Sequence, residues 1–247
     1  MIRSVLVACA LFCAAAGSAS ADTPASPIPQ TYFGVQGLMI VGQHRDVAGT
    51  QHGIGGAPLL EIGAGTKRFA LHLEGIPVVS APQRASAFYG QATPALGLFN
   101  GDVEAALDAR RDVWLGIGTT IINQRTPLPN LQQVVSSRLA GVRYTLVARR
   151  STRSPGHFIE AYLGVAPSLA GVDRFLYSDG VTAPVNKDER ASELDASLAF
   201  GWHHRRTEWL FGVRTLNFTA RFIATGEAAD RNVGIGPMIE WRHLLRP

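Results

Sequence analysis

Glu193-Leu194-Asp195-Ala196-Ser197-Leu198-Ala199-Phe200-Gly201-Trp202-His203 repeats with a period of two. Leu194, Ala196, Leu198, Phe200 and Trp202 fall on one parity, and Glu193, Asp195, Ser197 and His203 on the other. Side chains of an extended chain alternate between two faces, whereas a helix repeats every 3.6 residues, so this stretch reads as a strand with one apolar and one polar side. The same sorting recurs upstream, with Ile159, Ala161, Leu163 and Val165 against Glu160, Tyr162 and Gly164. It recurs again near the C-terminus, with Val233, Ile235, Ile239 and Trp241 against Gly234, Gly236, Glu240 and Arg242.

Working outward from these segments, period-2 alternation predicts ten strands, over 31–43, 57–65, 67–77, 94–107, 112–122, 134–149, 157–171, 191–203, 207–217 and 232–244. Each is about ten residues or somewhat longer, the length a tilted strand needs to cross a bilayer. The count falls to eight if 94–107 or the short second strand lies outside the wall. Long connections at 44–56, 78–93, 123–133, 172–190 and 218–231 alternate with short ones near Thr66, at 109–111, 151–156 and 204–206. In an up-and-down meander long loops and short turns then occupy opposite ends, and an even strand number puts both termini at the short-turn end.

Parity does not say which face is inside. A lipid-embedded barrel turns its apolar side outward and a soluble sandwich or cup turns it inward. The aromatics favour the first arrangement. Trp202, Trp209 and Trp241 fall near the short-turn end on the apolar parity together with Phe69, as a girdle at the headgroup level requires. Trp114 shares that level but sits on the polar parity, which points it inward. The short turns also carry Lys67 and Arg68, Arg110 and Arg111, Arg149 and Arg150, and Arg205 and Arg206. Solvated turns and contact with anionic headgroups account for these equally well.

Residues 1–21 read as an export signal, with Arg3 before an apolar run from Val5 to Ala16 and the small-residue site Ala19-Ser20-Ala21. Residues 22–30 are then an N-terminal periplasmic segment and 31–247 the barrel domain. Leu6-Val7-Ala8-Cys9 resembles a lipoprotein box but precedes most of the apolar run. Cys9 and Cys13 leave with the signal, which removes disulfide, thiol and thiolate-metal chemistry from the remainder. The charge is modest, 23 basic against 19 acidic residues, and no basic patch is interleaved with aromatics, so nucleic acid is not an expected partner. No later apolar run approaches the ~20 residues of a membrane helix, so a membrane could be spanned only by a closed barrel.

The pattern resembles that of bacterial outer-membrane β-barrel proteins over nearly all of the chain after the signal. Gly236, Ile239 and Trp241 look like their C-terminal assembly signal, although the chain ends Leu244-Leu245-Arg246-Pro247 without a terminal aromatic residue. The resemblance implies outer-membrane lipid and the barrel-assembly machinery as partners and an outer-membrane location.

On the polar parity the lumen is predicted to hold Glu61, His72, Glu74, Glu104, Arg143, Glu160, Asp195, Glu208, Arg214, Glu240 and Arg242. Charges removed from water must be paired, which favours an interior salt-bridge network over a charged constriction, and Arg143 and Arg214 are expected to meet acids such as Glu160 or Asp195. If water filled the lumen, its excess of acids would favour cations. No catalytic residue, cofactor or metal site is predicted. The G-x-S-x-G, H-E-x-x-H and P-loop patterns are missing from the chain. His203-His204 are adjacent in a strand and point apart, and His72 with Glu74 share a face without a nucleophile that can be placed beside them. Gly116-Ile117-Gly118 and Gly234-Ile235-Gly236 lack the helix a nucleotide loop needs and read as room for large facing side chains. The 172–190 loop, with Phe175, Tyr177 and Asp179, is the expected extracellular contact surface. The expected role is a structural or narrow-pore outer-membrane barrel. A lipocalin-like exported binder of an apolar ligand and an outer-membrane hydrolase stand as alternatives, and the oligomeric state is left open.

Overall fold

A computed structural model describes residues 31–245 apart from 47–48, 67, 77–94, 109–111, 129–132, 178, 180 and 227. The proposed signal and N-terminal segment, the 78–93 connection, Lys67, Arg110 and Arg111 lie outside the described residues. The strands are β1 (Tyr32–Asp46), β2 (Gly49–Gly65), β3 (Phe69–Ile76), β4 (Ala95–Ala106), β5 (Val113–Leu128), β6 (Gln133–Ser151), β7 (His157–Tyr177), β8 (Val185–His204), β9 (Thr207–Phe222) and β10 (Ala228–Leu244). Each pairs antiparallel with its sequence neighbours, and β10 pairs with β1 to close a ten-stranded barrel. Closure leaves no sheet edge, so the backbone hydrogen bonds of every strand are taken up by its two neighbours.

The alternation decides the two surfaces. Phe211, Val213, Ile235, Ile239, Leu198 and Phe200 face outward and are exposed, as are Leu115, Ile117, Val142 and Tyr144 on the opposite wall. The side chains between them are buried inside the barrel, which makes the apolar exterior a continuous band.

Several connections are shorter than alternation predicts. β1 and β2 run to within two residues of each other, so 44–56 is largely paired strand. β7 and β8 are separated only by 178–184, so most of 172–190 is strand as well. β5 and β6 likewise pair through most of 123–133, and β9 and β10 through most of 218–231. The physical reason is that beyond the apolar band the outward face meets water and turns polar, while the buried inward face mixes Phe175 and Phe222 with Asp173 and Glu189, so the period-2 contrast fades while the backbone ladder continues.

A second departure is a β-bulge. Ala166 pairs with Glu193 and Leu169 with Ala191, so β7 carries one extra residue there, at Pro167-Ser168. Proline, which has no N–H for the ladder, is tolerated at such a position. The extra residue reverses inside and outside for the rest of β7. Below it Glu160 points inward, and above it Leu169, Asp173 and Phe175 do.

Candidate functional site: a cross-braced interior

The barrel interior is built in tiers. Nearest the short turns, Arg149 on β6 reaches Glu160 on β7 at 2.6 Å and Glu208 on β9 at 2.8 Å, with its guanidinium 3.9 Å from the centre of the Phe158 ring. Arg242 on β10 meets Glu160 at 2.8 Å, pairs with Glu240, and lies 3.9 Å from Glu61 on β2. His72 on β3 is 3.8 Å from the same Glu61, and the Tyr32 hydroxyl donates to it at 3.5 Å. Glu104 is buried on the neighbouring wall.

The middle tier centres on Arg214. From β9 its guanidinium donates to Gln36 on β1 at 2.6 Å, to Glu74 on β3 at 2.8 Å and to Asp195 on β8 at 2.9 Å. Asp195 also accepts from Arg143 on β6 at 2.9 Å, Arg143 meets the Tyr162 hydroxyl, and Asn100 on β4 donates to Glu74 at 3.0 Å. Arg143 and Arg214 are 0% and 3% exposed, so water does not screen these contacts. The backbone admits them through small residues. A Cβ on Gly164 would lie 2.7 Å from both Arg143 Nε and the Tyr162 hydroxyl, and one on Gly201 would strike the Phe158 ring.

Above this tier the interior is mixed, with Leu38, Leu98, Ile122, Leu139, Leu169 and Phe218 buried in one cluster and Thr120, Gln124 and Glu193 buried among them. At the long-loop end Ser137 donates to Asp173, and Lys187 sits 5.0 Å from the ring centres of both Phe175 and Phe222. The interior is therefore not uniformly polar, as alternation alone implies. Apolar side chains on the inward parity fill it above the arginine tiers.

Every residue of the expected lumen set is brought inside, but into different circuits. Arg143 and Arg214 share Asp195, whereas Glu160 belongs to Arg149 and Arg242. Arg149 corrects the sequence reading. Grouped there with the exposed basic turns, it is 1% exposed and holds two carboxylates, because β6 continues to Ser151 and leaves it within the wall. Trp114 is also inside, 1% exposed. Sequence reasoning put Tyr162 on the polar face without a role and missed Tyr32, Gln36, Asn100 and Asp102. Each lies on the inward parity of its strand, and that parity was the signal available to find them.

On the outside, Trp209 is directly opposite both Trp202 and Trp241 in the ladder, which puts three tryptophans at one level on β8, β9 and β10. Phe33 packs edge-on against Trp241 with ring centres 6.4 Å apart, and Phe69 is 61% exposed at the same end.

Chemically, the interior offers bracing. A cavity of about 50 Å³, lined by His72, Glu104, Trp114, Tyr162 and Arg242 among others, has room for a few water molecules. Among the described residues no three His, Cys, Asp or Glu side chains are grouped to hold a metal ion. His203 is 3.4 Å from Glu208, while His204 packs against Trp202 outside, so the two adjacent histidines do not act together. Phe175 of the expected contact loop is buried, and Asp179 instead holds its own turn by accepting from the Val181 and Thr182 N–H groups at 3.0 and 2.9 Å. The Thr182 hydroxyl, which also donates to it, together with these backbone donors holds the Asp179 carboxyl below its usual range.

Neither a protein-family model nor a curated protein sequence matches the chain. Among solved structures, the outer-membrane protease OmpT of Escherichia coli superposes with a TM-score of 0.53 at 9% identity, over 92% of this chain and 99% of that one. The toluene transporter TodX of Pseudomonas putida aligns over 92% of this chain and 93% of its own at 9% identity, with a TM-score of only 0.35. At such identity a likeness speaks for the fold and not for proteolysis or transport. The chain is a closed, ten-stranded antiparallel barrel with the fold of an outer-membrane protein.

Proposed function

We propose that this protein is an outer-membrane barrel with a filled interior, a structural or surface-presenting protein rather than an open pore. The observation that carries the reading is Arg214, whose single guanidinium joins β1, β3, β8 and its own β9. A side chain reaches opposite walls at hydrogen-bond distance only where the walls enclose no channel. The apolar cluster above it blocks the same axis. The outward apolar band and the tryptophan level support residence in a bilayer, with short turns on the periplasmic side and the 178–184 connection outside. An apolar ligand in a lipocalin-like cup would need the apolar parity inside, and here the inward parity carries the charges.

The test combines extraction and conductance. The chain is expected in the outer-membrane fraction, released only by detergent, with heat-modifiable gel mobility and no steady conductance in planar bilayers. A discrete single-channel conductance from the folded wild type would overturn the filled-barrel reading, and recovery as a soluble periplasmic monomer would overturn the membrane reading with it.

A further inference from the structure

The outer wall at the long-loop end is basic. Arg125 on β5, Arg138 on β6, Arg174 on β7, Arg190 on β8, Arg221 on β9 and Arg231 on β10 are all exposed there, and all fall on the outward parity. None is ion-paired with another described side chain. Among the described residues this stretch of outer wall offers one acid, Asp188 on β8.

Height places these arginines. Twelve residues separate Trp202 from Arg190 on β8, and twelve separate Trp209 from Arg221 on β9. At about 3.3 Å per residue and a tilt near 40°, that distance is about 30 Å along the barrel axis. The girdle marks one edge of the apolar band, and Arg190 and Arg221 stand at the other, at the opposite headgroup level.

The register adds an independent argument. Arg190 and Arg221 are directly opposite in the β8–β9 ladder. Like charges opposite one another destabilise a sheet unless something of opposite charge lies between them. A guanidinium group offers a planar fork of donors that matches phosphate oxygens, and two of them stand on adjacent strands here.

We infer that the arginine belt on β5–β10 is a docking surface for the phosphate groups of lipid headgroups in the leaflet facing the long loops. The belt covers one side of the barrel, since the described outward residues of β3 and β4 include no arginine, so phosphorylated lipid gathers along the β5–β10 wall. The inference rests on the membrane reading above.

Native mass spectrometry of the detergent-solubilised full chain, titrated with phosphatidic acid or with phosphatidylcholine, tests it. Each headgroup-level arginine is worth about a factor of five in attraction to anionic lipid, so Arg190→Gln/Arg221→Gln should weaken phosphatidic acid binding about 25-fold. Heat-modifiable mobility reports that the variant is folded. Equal binding by the folded belt variant and wild type, or no preference of wild type for phosphatidic acid, overturns the inference and leaves the membrane reading standing. A wild type recovered without detergent as a soluble monomer overturns both.

Discussion

Replacing Arg214 by alanine is the sharpest test of a filled barrel. The substitution removes bonds to Gln36, Glu74 and Asp195 at once. Asp195 keeps Arg143 and Glu74 keeps Asn100, but Glu74 loses its nearest cation within the network. Removing one partner of a buried ion pair costs about 3–5 kcal/mol, because the remaining charge stays out of water. With a denaturant slope near 2 kcal/mol per molar urea, the unfolding midpoint of the detergent-folded barrel should fall by about 2 M. The gel shift between folded and heated forms reads that midpoint directly. Adding Glu74→Gln to Arg214→Ala should cost less than the sum of the single changes, since the second removes the charge the first left unpaired. A filled barrel is ruled out if Arg214→Ala unfolds at the wild-type midpoint while a conductance appears or changes, because water would then be screening the site.

Gly164→Val should destabilise by about 1–3 kcal/mol in the same urea assay, as the new side chain must displace the Arg143 guanidinium and the Tyr162 hydroxyl. Deleting Ser168 removes the extra residue of β7, which would turn Asp173 and Phe175 outward and Arg174 inward; the deletion should abolish or greatly weaken the heat-modifiable form, and a wild-type midpoint would show that parity is not set at this bulge. In vesicles containing lipid brominated close to the headgroup, Trp202, Trp209 and Trp241 should be quenched and Trp114 spared, as single-tryptophan variants would report. The Asp179 carboxyl is held below its ordinary range by the Thr182 and Val181 donors, so it favours the ordered turn above the usual carboxylate range and loses that effect as pH falls below about 3.8, its ordinary value. The protection of the Val181 and Thr182 amides, taken relative to the intrinsic exchange rate at each pH, should therefore fall on acidification below that value in wild type but not in Asp179→Asn.

Alternation along Glu193 to His203 was enough to make β8 a strand and to sort its faces. The repetition of that pattern at nearly even spacing made a ten-stranded meander legible. It also named the charges of the interior, because in a narrow barrel the polar parity has nowhere else to point. Arg149 shows where this legibility stops. Two consecutive arginines beside a turn read as solvated, and only the continuation of β6 to Ser151 puts the first of them inside.

What the sequence alone determined is local: period, parity and the chemical character of each face, all properties of a strand and its immediate neighbours. Closure, register and phase come from the assembled barrel. The pairing of β1 with β10 brings Gln36 to Arg214 across 178 positions of sequence. One extra residue at Pro167-Ser168 inverts the upper half of β7 while leaving its composition unchanged. Partners in a barrel are set by the ladder that joins distant strands and by the shear of its closure, and neither is written in the spacing of any one segment.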